Sequence, residues 1–154
     1  MKKQALKKQY WLLKTEPSSY SIDDFKKDKK TAWTGIRNYQ ARNFIRDMKK
    51  GEYFLFYHSG DNPPSVVGIG QIASDAYPDP TQFDKKDSHF DIKATKEKPI
   101  WYAVDVTFKK KLQTPFTLSQ IKNHFSLKNM PVAQRGSRLS VQQVLEKHFH
   151  SISA

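Results

Sequence analysis

The amino-acid sequence predicts one α+β domain whose centre is a curved or barrel-like sheet. The length of 154 residues suits a single hydrophobic core, and no repeat or linker divides the chain. Five segments rich in aromatic and β-branched residues have the composition of strands. Short helical patterns separate them irregularly, which is typical of a mixed sheet surrounded by helices. The five segments are residues 10–14, 52–59, 65–74, 100–112 and 137–141.

Two helices are predicted in the first third of the chain. Ser21 stands three residues before Asp24, so a capped short helix begins there and ends among the lysines at 26–30. A second helix is predicted after Trp33, with its arginines on the outward side. Gly51 is placed where a left-handed cap would end it. The apolar stripe of this helix consists of Ala41, Phe44, Ile45 and Met48.

The last third of the chain predicts two more helices. Thr117 caps the first of them and directs Leu118, Ile121 and Phe125 inward. Ser140 caps a final helix with apolar residues at Val141, Val144, Leu145 and Phe149.

Glycine and proline mark two special places in the central part of the chain. Gly68 and Gly70 within a strand predict a bulge or a close approach of the backbone to another group. Residues 75–99 combine prolines and charges with few aliphatic residues, which predicts a long loop. Long loops in small domains often carry function.

The charge balance favours a polyanionic partner. The chain has 27 Lys and Arg against 15 Asp and Glu, a net charge of +12. Many of the lysines occur in pairs that also suit an ordinary solvated surface. With no cysteine, disulfides, thiolate metal sites and cysteine nucleophiles are excluded, and a cytoplasmic location is expected, or a nuclear one in a eukaryote. No apolar run is long enough to span a membrane, so no membrane partner is expected.

No catalytic centre, metal site or cofactor is predicted. The chain lacks a phosphate-binding glycine loop. His58, Ser59 and Asp61 have the residue types of a hydrolase, but neighbours on a strand point to opposite faces and do not meet easily.

Two histidine-containing groups also fail as metal sites. His148 and His150 would lie on different faces of a helix, with no carboxylate cluster beside them. An acidic group in the long loop lacks the spacing of a calcium or zinc site and is better explained as a solvated loop. That group is Asp84, Asp87, His89 and Asp91.

Aromatic residues beside turns predict a stacking site. Trp33, Tyr77 and Phe83 lie next to turn residues, where they are suited to hold a nucleobase between rings. Polar groups to read the edge of the base are Asn38, Thr15 and Ser59, and phosphate contacts are Arg37, Arg42 and Arg46. The alternative is that Trp33 only fills the interior of the barrel.

Several segments together resemble the EVE domain family. They are YWLLKTEPSSYSIDDF, WTGIRNYQARNFIRDMKKGEYFLFYHS, VVGIGQIASDAYPDPTQFD, WYAVDVTF and RGSRLSVQQV, in the order the family has them. The resemblance implies a PUA-like curved mixed β-barrel of about five to six strands with surrounding short helices, related to YTH domains. It implies a non-catalytic reader of a modified base, with modified cytosine in DNA favoured over a modified base in RNA.

The resemblance also implies which residues form the site. Trp33 would be one wall of the base pocket and Asn38 would orient the base, with Tyr77 and Phe83 as the opposite wall. The pocket mouth and its polar contacts would be Lys14, Thr15, Glu16, Tyr57, His58 and Ser59. The phosphate contacts, which the basic surface suggests independently of the resemblance, are predicted to be Arg37, Arg42, Arg46, Arg135 and Arg138.

The resemblance sets the expected domain limits as well. The domain would span residues 9–150, between a basic extension at 1–8 and a tail at 151–154, and the protein is expected to be a monomer. Lys85 departs from the proline that the family often has at this position of the loop.

Two other classes of function remain open at the level of the sequence. One is an enzyme acting on a modified nucleobase or a small acidic metabolite, with His58 or Glu16 as its acid-base group. The other is a small-molecule or protein-interaction module whose charge is incidental.

Overall fold

A mixed seven-stranded sheet forms the centre of the computed structural model, which describes residues 7–60 and 63–154. Its strand order is β2-β6-β4-β3-β1-β7, and β5 pairs with β6 beside this path. β1 and β3 are parallel, whereas the other ladders are antiparallel. The strands are β1 Tyr10–Thr15, β2 Lys30–Trp33, β3 Tyr53–His58, β4 Ser65–Ile72, β5 Tyr77–Pro78, β6 Tyr102–Thr117 and β7 Val141–Val144.

Four short helices surround the sheet. They are α1 Ile22–Asp28, α2 Tyr39–Asp47, α3 Leu118–Asn123 and α4 Glu146–Ser153. Two 3₁₀ helices occupy Pro80–Phe83 and Pro131–Ala133. The predicted caps at Ser21 and Thr117 are confirmed, and each forms a reciprocal capping box with the residue three positions later. The α+β class is therefore confirmed. None of these helices is long and apolar enough to cross a membrane.

The two faces of the sheet carry separate hydrophobic clusters. Successive strand residues point to opposite faces, so Trp11 and Leu13 belong to one cluster while Leu12 belongs to the other. The tight packing explains Gly70, because a Cβ there would lie 2.3 Å from the ring of Phe54. The expected close approach at the glycines of β4 is confirmed, and the pairing of this strand also shifts register near them.

The apolar stripe of α2 is confirmed, but its predicted end is wrong. Ala41 and Ile45 are buried, and Phe44 packs on Trp11 with ring centroids 5.7 Å apart. The helix ends at Asp47, because Met48 already has an extended backbone with φ of −67° and ψ of 142°, and the left-handed Gly51 with φ of 97° lies beyond the helix.

β2 was not expected as a strand. The prediction placed fading helix at residues 26–30 and a turn around Trp33. Instead, Lys29 adopts a left-handed conformation with φ of 66° and ends α1 sharply. Residues 30–33 then pair with β6, where Trp33 lies opposite Val104. Pairing with a distant strand decides this segment, and the local sequence does not show it.

The end of the chain also differs from the prediction. Val141 and Val144 belong to β7, which pairs antiparallel with β1, so Ser140 does not cap a helix. α4 begins only after Leu145 and runs through Ser153, so most of the predicted tail at 151–154 is helical. Phe125 is also not inward, since α3 ends at Asn123 and Phe125 is 82% exposed.

Candidate nucleic-acid interface

A cavity of about 530 Å³ lies where the two ends of the sheet approach each other. β2 ends the strand order on one side, and β1 with β7 ends it on the other. Ala32 and Trp33 of β2 line one wall, while Lys14, Thr15 and Ser140 line the other. We call this space the seam cavity. Its volume is in the range of small-ligand sites.

Trp33 combines the two roles that the sequence left open. It lines the seam cavity, yet it is only 8% exposed and belongs to the core. Its ring meets Phe54 and Phe56 nearly edge-on, with centroids 6.0 and 5.7 Å away. The indole is therefore held rigidly by the core at the wall of the cavity.

Tyr20 supplies a second aromatic ring that the sequence prediction missed. It lines the cavity and lies edge-on to Trp33, with ring centroids 6.4 Å apart. Its hydroxyl donates to Asp28 Oδ2 at 2.8 Å. Burial, followed by this hydrogen bond, raises the pKa of Tyr20 to about 12. Its position beside the turn after Pro17 is the same kind of signal that identified Trp33.

Lys14 brings a positive charge into the seam cavity. Its Nζ donates to the carbonyl of Ser137 at 3.4 Å and lies 5.7 Å from the ring centre of Tyr57. Partial burial lowers the pKa of Lys14. A partly desolvated ammonium interacts more strongly with a phosphate or a carbonyl oxygen than one in water does.

Gly35 allows His89 to close one end of the cavity. The glycine has a φ of +83°, and a Cβ there would lie 2.9 Å from His89 Nε2. The sequence prediction assigned His89 to a solvated loop, but the structure places its ring among the lining residues. Contact between residues so far apart in the chain leaves no local signal.

Arg37 is a structural cross-link and not a free phosphate contact. Its five N–H groups all donate within the protein. Two of these hydrogen bonds reach the carbonyl of His89, at 2.9 and 2.7 Å, and one reaches Asp79 Oδ2 at 3.1 Å. The side chain thus ties the loop after β5 to the segment that carries Gly35.

Asp79 is the buried partner in this cross-link. Its carboxylate accepts hydrogen bonds from Arg37, the N–H of Gly35, and both the N–H and the hydroxyl of Thr81. Burial by itself raises the pKa of Asp79, but these hydrogen bonds outweigh burial and lower the pKa below its ordinary value. The carboxylate is therefore ionised and stabilises the loop.

The predicted opposite wall lies elsewhere. Tyr77 belongs to β5, and its hydroxyl donates to Asp105 Oδ1 at 2.6 Å, while burial raises its pKa. Phe83 ends a 3₁₀ helix and is not among the residues that line the seam cavity. Long-range pairing of β5 with β6 holds Tyr77 away from Trp33.

Asn38 caps α2 and borders a neighbouring cavity. Its Oδ1 accepts from the N–H of Ala41 at 3.0 Å, which satisfies a free donor at the helix start. The side chain lines this cavity of about 310 Å³ together with Arg138 and Ser140. We call it the intermediate cavity. Asn38 therefore lies beside the seam cavity and not among its lining residues.

Four further residues assigned to the pocket lie behind or beside it. Tyr57 is buried in the core beneath Lys14, and His58 Nε2 accepts from the N–H of Ile22 at 3.0 Å. Ser59 follows β3, and its N–H donates to the carbonyl of Thr15. Glu16 is exposed next to Gly60. Asp61, the third member of the rejected hydrolase group, lies outside the described residues.

The remaining arginines differ in how free they are. Arg42 donates to Asn43 and to the carbonyl of Ile100. Arg46 is exposed and stacks over Tyr102, 4.9 Å from the ring centre. The remaining two predicted phosphate contacts are exposed, and only the second of them lines the cavity that adjoins the seam cavity. They are Arg135 and Arg138.

The part of the chain covered by residues 7–60 and 63–154 holds no group of three or more His, Asp or Glu side chains arranged for a metal ion. His148 is nearly buried, and burial followed by the neighbouring Lys147 lowers its pKa. His150 is exposed and lies 3.7 Å from Glu146. The two histidines therefore occupy different surroundings.

Comparison with known proteins decides the family. Residues 9–154 match the EVE domain. The chain belongs to the EVE domain family. The resemblance predicted from the sequence motifs is confirmed, and the matched region extends past residue 150 to the last residue.

Relatives of this EVE domain occur in animals and bacteria. Thymocyte nuclear protein 1 of Gallus gallus is 44% identical over 159 residues, which cover 91% of this chain and 65% of that protein. The chain thus spans a little under two thirds of that relative. A crystal structure from Pseudomonas syringae is 44% identical, with a TM-score of 0.89, and the match covers 94% of this chain and 97% of that one.

One similar structure includes a nucleic acid. Human THYN1 in complex with 5-methylcytosine-containing DNA is 37% identical, with a TM-score of 0.87, over 94% of this chain and 95% of that one. A YTH domain of Zygosaccharomyces rouxii is 12% identical with a TM-score of 0.55, covering 99% of this chain and 89% of that one, which shows likeness of fold alone. These similarities agree with the expected PUA-like fold.

Proposed function

We propose that this protein is a non-catalytic reader that holds a modified base, with modified cytosine in DNA favoured, in the seam cavity. The observation that carries the proposal is the convergence of Trp33, Tyr20 and Lys14 on one cavity of about 530 Å³. The likeness to human THYN1 bound to 5-methylcytosine-containing DNA supports this choice of ligand.

The lining of the cavity is suited to a nucleobase. A flipped base costs a few kcal/mol to extrude, and contact with an aromatic ring returns about 1–3 kcal/mol. The hydroxyls of Ser19, Thr34 and Ser140 line the cavity and make no hydrogen bond within the described residues, so they are available to the edge of a base. A rigid indole on the wall would contact the base without prior rearrangement.

Phosphate contacts would come from exposed cations on the surface of the domain. Arg138 borders the adjoining cavity, and Arg46 projects from the outward face of α2. Contacts of this kind make affinity fall as salt rises. Arg37 is not assigned this role, because its donors are used within the protein.

The lining does not favour catalysis. None of the described residues around the seam cavity carries a carboxylate. His58, the proposed acid-base group of an enzyme, accepts a backbone hydrogen bond at the start of α1 and lies outside the cavity. Binding without turnover is therefore the better-supported function.

A cavity-filling variant tests the proposal. Ala32 is exposed on β2 and lines the cavity, so Ala32→Phe would block the cavity while leaving the core unchanged. We expect the preference for 5-methylcytosine over cytosine to fall about tenfold, in line with the loss of one stacked base. Fluorescence anisotropy with otherwise identical DNA and RNA oligonucleotides, carrying unmodified, methylated or hydroxymethylated cytosine, measures this preference.

Two further variants control the experiment. Thr114→Phe adds the same ring at an exposed position of β6, beyond the residues of that strand that pair with β2. It should leave the preference intact. Trp33→Ala should also remove the preference, at a cost of about 3–5 kcal/mol in stability, so its folding is checked by circular dichroism. If Ala32→Phe retains full preference, the seam cavity is not the base site. Stronger discrimination among the RNA oligonucleotides would instead identify a reader of RNA.

A further inference from the structure

A second cleft lies between α2 and the segment that leads into α4. Its volume is about 410 Å³. Phe44 and Leu139 contribute an apolar surface, while Gln40, Asn129 and Gln143 place carboxamides around it. We call this space the amide cleft.

The amide cleft is continuous with the seam cavity. The intermediate cavity of about 310 Å³ shares Ser140 with the seam cavity. The same intermediate cavity shares Gln40 and Leu139 with the amide cleft. A polymer that enters the seam cavity can therefore continue past Arg138 into the cleft without leaving the surface.

The charge along this route is suited to a polyanion. None of the residues that line the three cavities, all of them described, carries a carboxylate. Lys14 and Arg138 lie at the seam cavity and at the intermediate cavity. A strand with phosphates between its bases would meet positive charge in the passage and an uncharged cleft at its end.

Two of the carboxamides at the amide cleft are available for a ligand, whereas that of Gln143 donates to Gln9 Oε1. Gln40 and Asn129 make no side-chain hydrogen bond within the described residues, and both are exposed. Carboxamides offer a donor and an acceptor side by side, the arrangement that reads the edge of a base. Gln40 lies one helical turn before Phe44, so the amide and the ring face the same space.

We propose that the amide cleft holds the base of a nucleotide next to the modified one and so makes binding depend on sequence context. The proposal rests on the proposed function, because the cavity route places the second base relative to the first. A base still paired in a duplex cannot enter the cleft, so this nucleotide is unpaired in the complex.

The test uses duplexes with a short unpaired bubble around one 5-methylcytosine. Each neighbouring nucleotide in the bubble is replaced in turn by an abasic site, which removes the base and keeps the phosphate. We expect an abasic site at one neighbouring position to weaken binding of the wild-type protein about tenfold, the effect of losing one base contact. In the double variant Gln40→Ala/Asn129→Ala, the same abasic site should change affinity less than twofold.

A matched control separates the cleft from a general loss of carboxamides. Gln113 is exposed on β6 and lines none of the three cavities, so Gln113→Ala should show the full abasic effect. The proposal is overturned if the double variant shows the same abasic effect as the wild type, or if no neighbouring position matters while the preference for 5-methylcytosine persists. If the wild-type protein has no such preference in paired or bubble DNA, the proposed function itself fails.

Discussion

The seam cavity and the loop after β5 lie on either side of Gly35 and use polar residues in opposite ways. In the loop, Asp79 and Gln82 are both 0% exposed, and the side chain of each takes part in four hydrogen bonds with the protein. Around the cavity, the hydroxyls of Ser19 and Thr34 have no partner within the described residues. Polar groups that are fully paired hold the fold, whereas unpaired groups around a cavity are available to a ligand.

The largest expected effect is at the centre of the fully paired loop. Asp79→Ala leaves the partly buried guanidinium of Arg37 and the N–H of Gly35 without their acceptor. We expect the free energy of unfolding to fall by about 3–5 kcal/mol, the cost of breaking a buried ion pair from one side. Urea denaturation at pH 7 measures this loss.

An exposed ion pair provides the control for Asp79. Asp23 lies 2.8 Å from Lys111, but its side chain is 70% exposed, so Asp23→Ala should cost only about 0–1 kcal/mol. The pKa of Asp79 is lowered in the folded protein, so its stabilising effect is present above about pH 4 and is lost as the pH falls through the lower folded value. Asp79→Asn should lack this acid dependence. Equal losses for Asp79→Ala and Asp23→Ala would show that the loop is not held by its buried carboxylate.

A smaller effect should separate two arginines that the sequence treats alike. Arg37→Gln should lower stability by about 1.5–3 kcal/mol, because charged hydrogen bonds are lost, and should leave the salt dependence of DNA binding unchanged. Arg138→Gln should leave stability within about 0.5 kcal/mol and reduce the slope of log affinity against log salt by about 1. Thermal unfolding and anisotropy titrations at several salt concentrations measure the two quantities. The reverse pattern would restore Arg37 as a phosphate contact.

The smallest effect concerns Asn38, which lines the cavity that adjoins the seam cavity. Asn38→Ala removes the cap of α2 and should cost about 1 kcal/mol without changing the proposed preference for 5-methylcytosine. Asn38→Asp keeps an acceptor at the cap and should restore the stability. A loss of base preference in Asn38→Ala at unchanged stability would instead support the sequence-based expectation that Asn38 orients the base.

Local patterns predicted much of the fold. The capping boxes at Ser21 and Thr117 and the stripe of α2 involve residues within one or two turns, so their signals are contained in the sequence itself. β2 and β7 were missed or misread because each is defined by pairing with a strand far away in the chain. Val141 and Val144 point to opposite faces of β7 and belong to the two different hydrophobic clusters, so a spacing of three residues suits a strand that is buried on both faces as well as one face of a helix.

The motifs predicted part of the lining of the seam cavity. Trp33, Lys14 and Thr15, which the motifs assign to a base pocket, line this cavity together with Tyr20 and His89, which carried no such assignment. That the cavity is the base site stays a prediction. Motifs identify residue types that suit a base, but they do not show which polar groups are already used. Only the hydrogen bonds of the folded protein show that the side chains of Arg37 and Asn38 are already bound to other residues.

The sequence by itself determined the α+β class, the family, the basic character and the aromatic residue at the wall of the cavity, because composition and short-range spacing carry these properties. Only the tertiary structure decided that Trp33 is at once part of the core and part of a cavity. It also decided that Arg37 holds a loop in place. Both results depend on contacts between residues far apart in the chain, where burial and hydrogen-bond saturation separate structural residues from those available for binding.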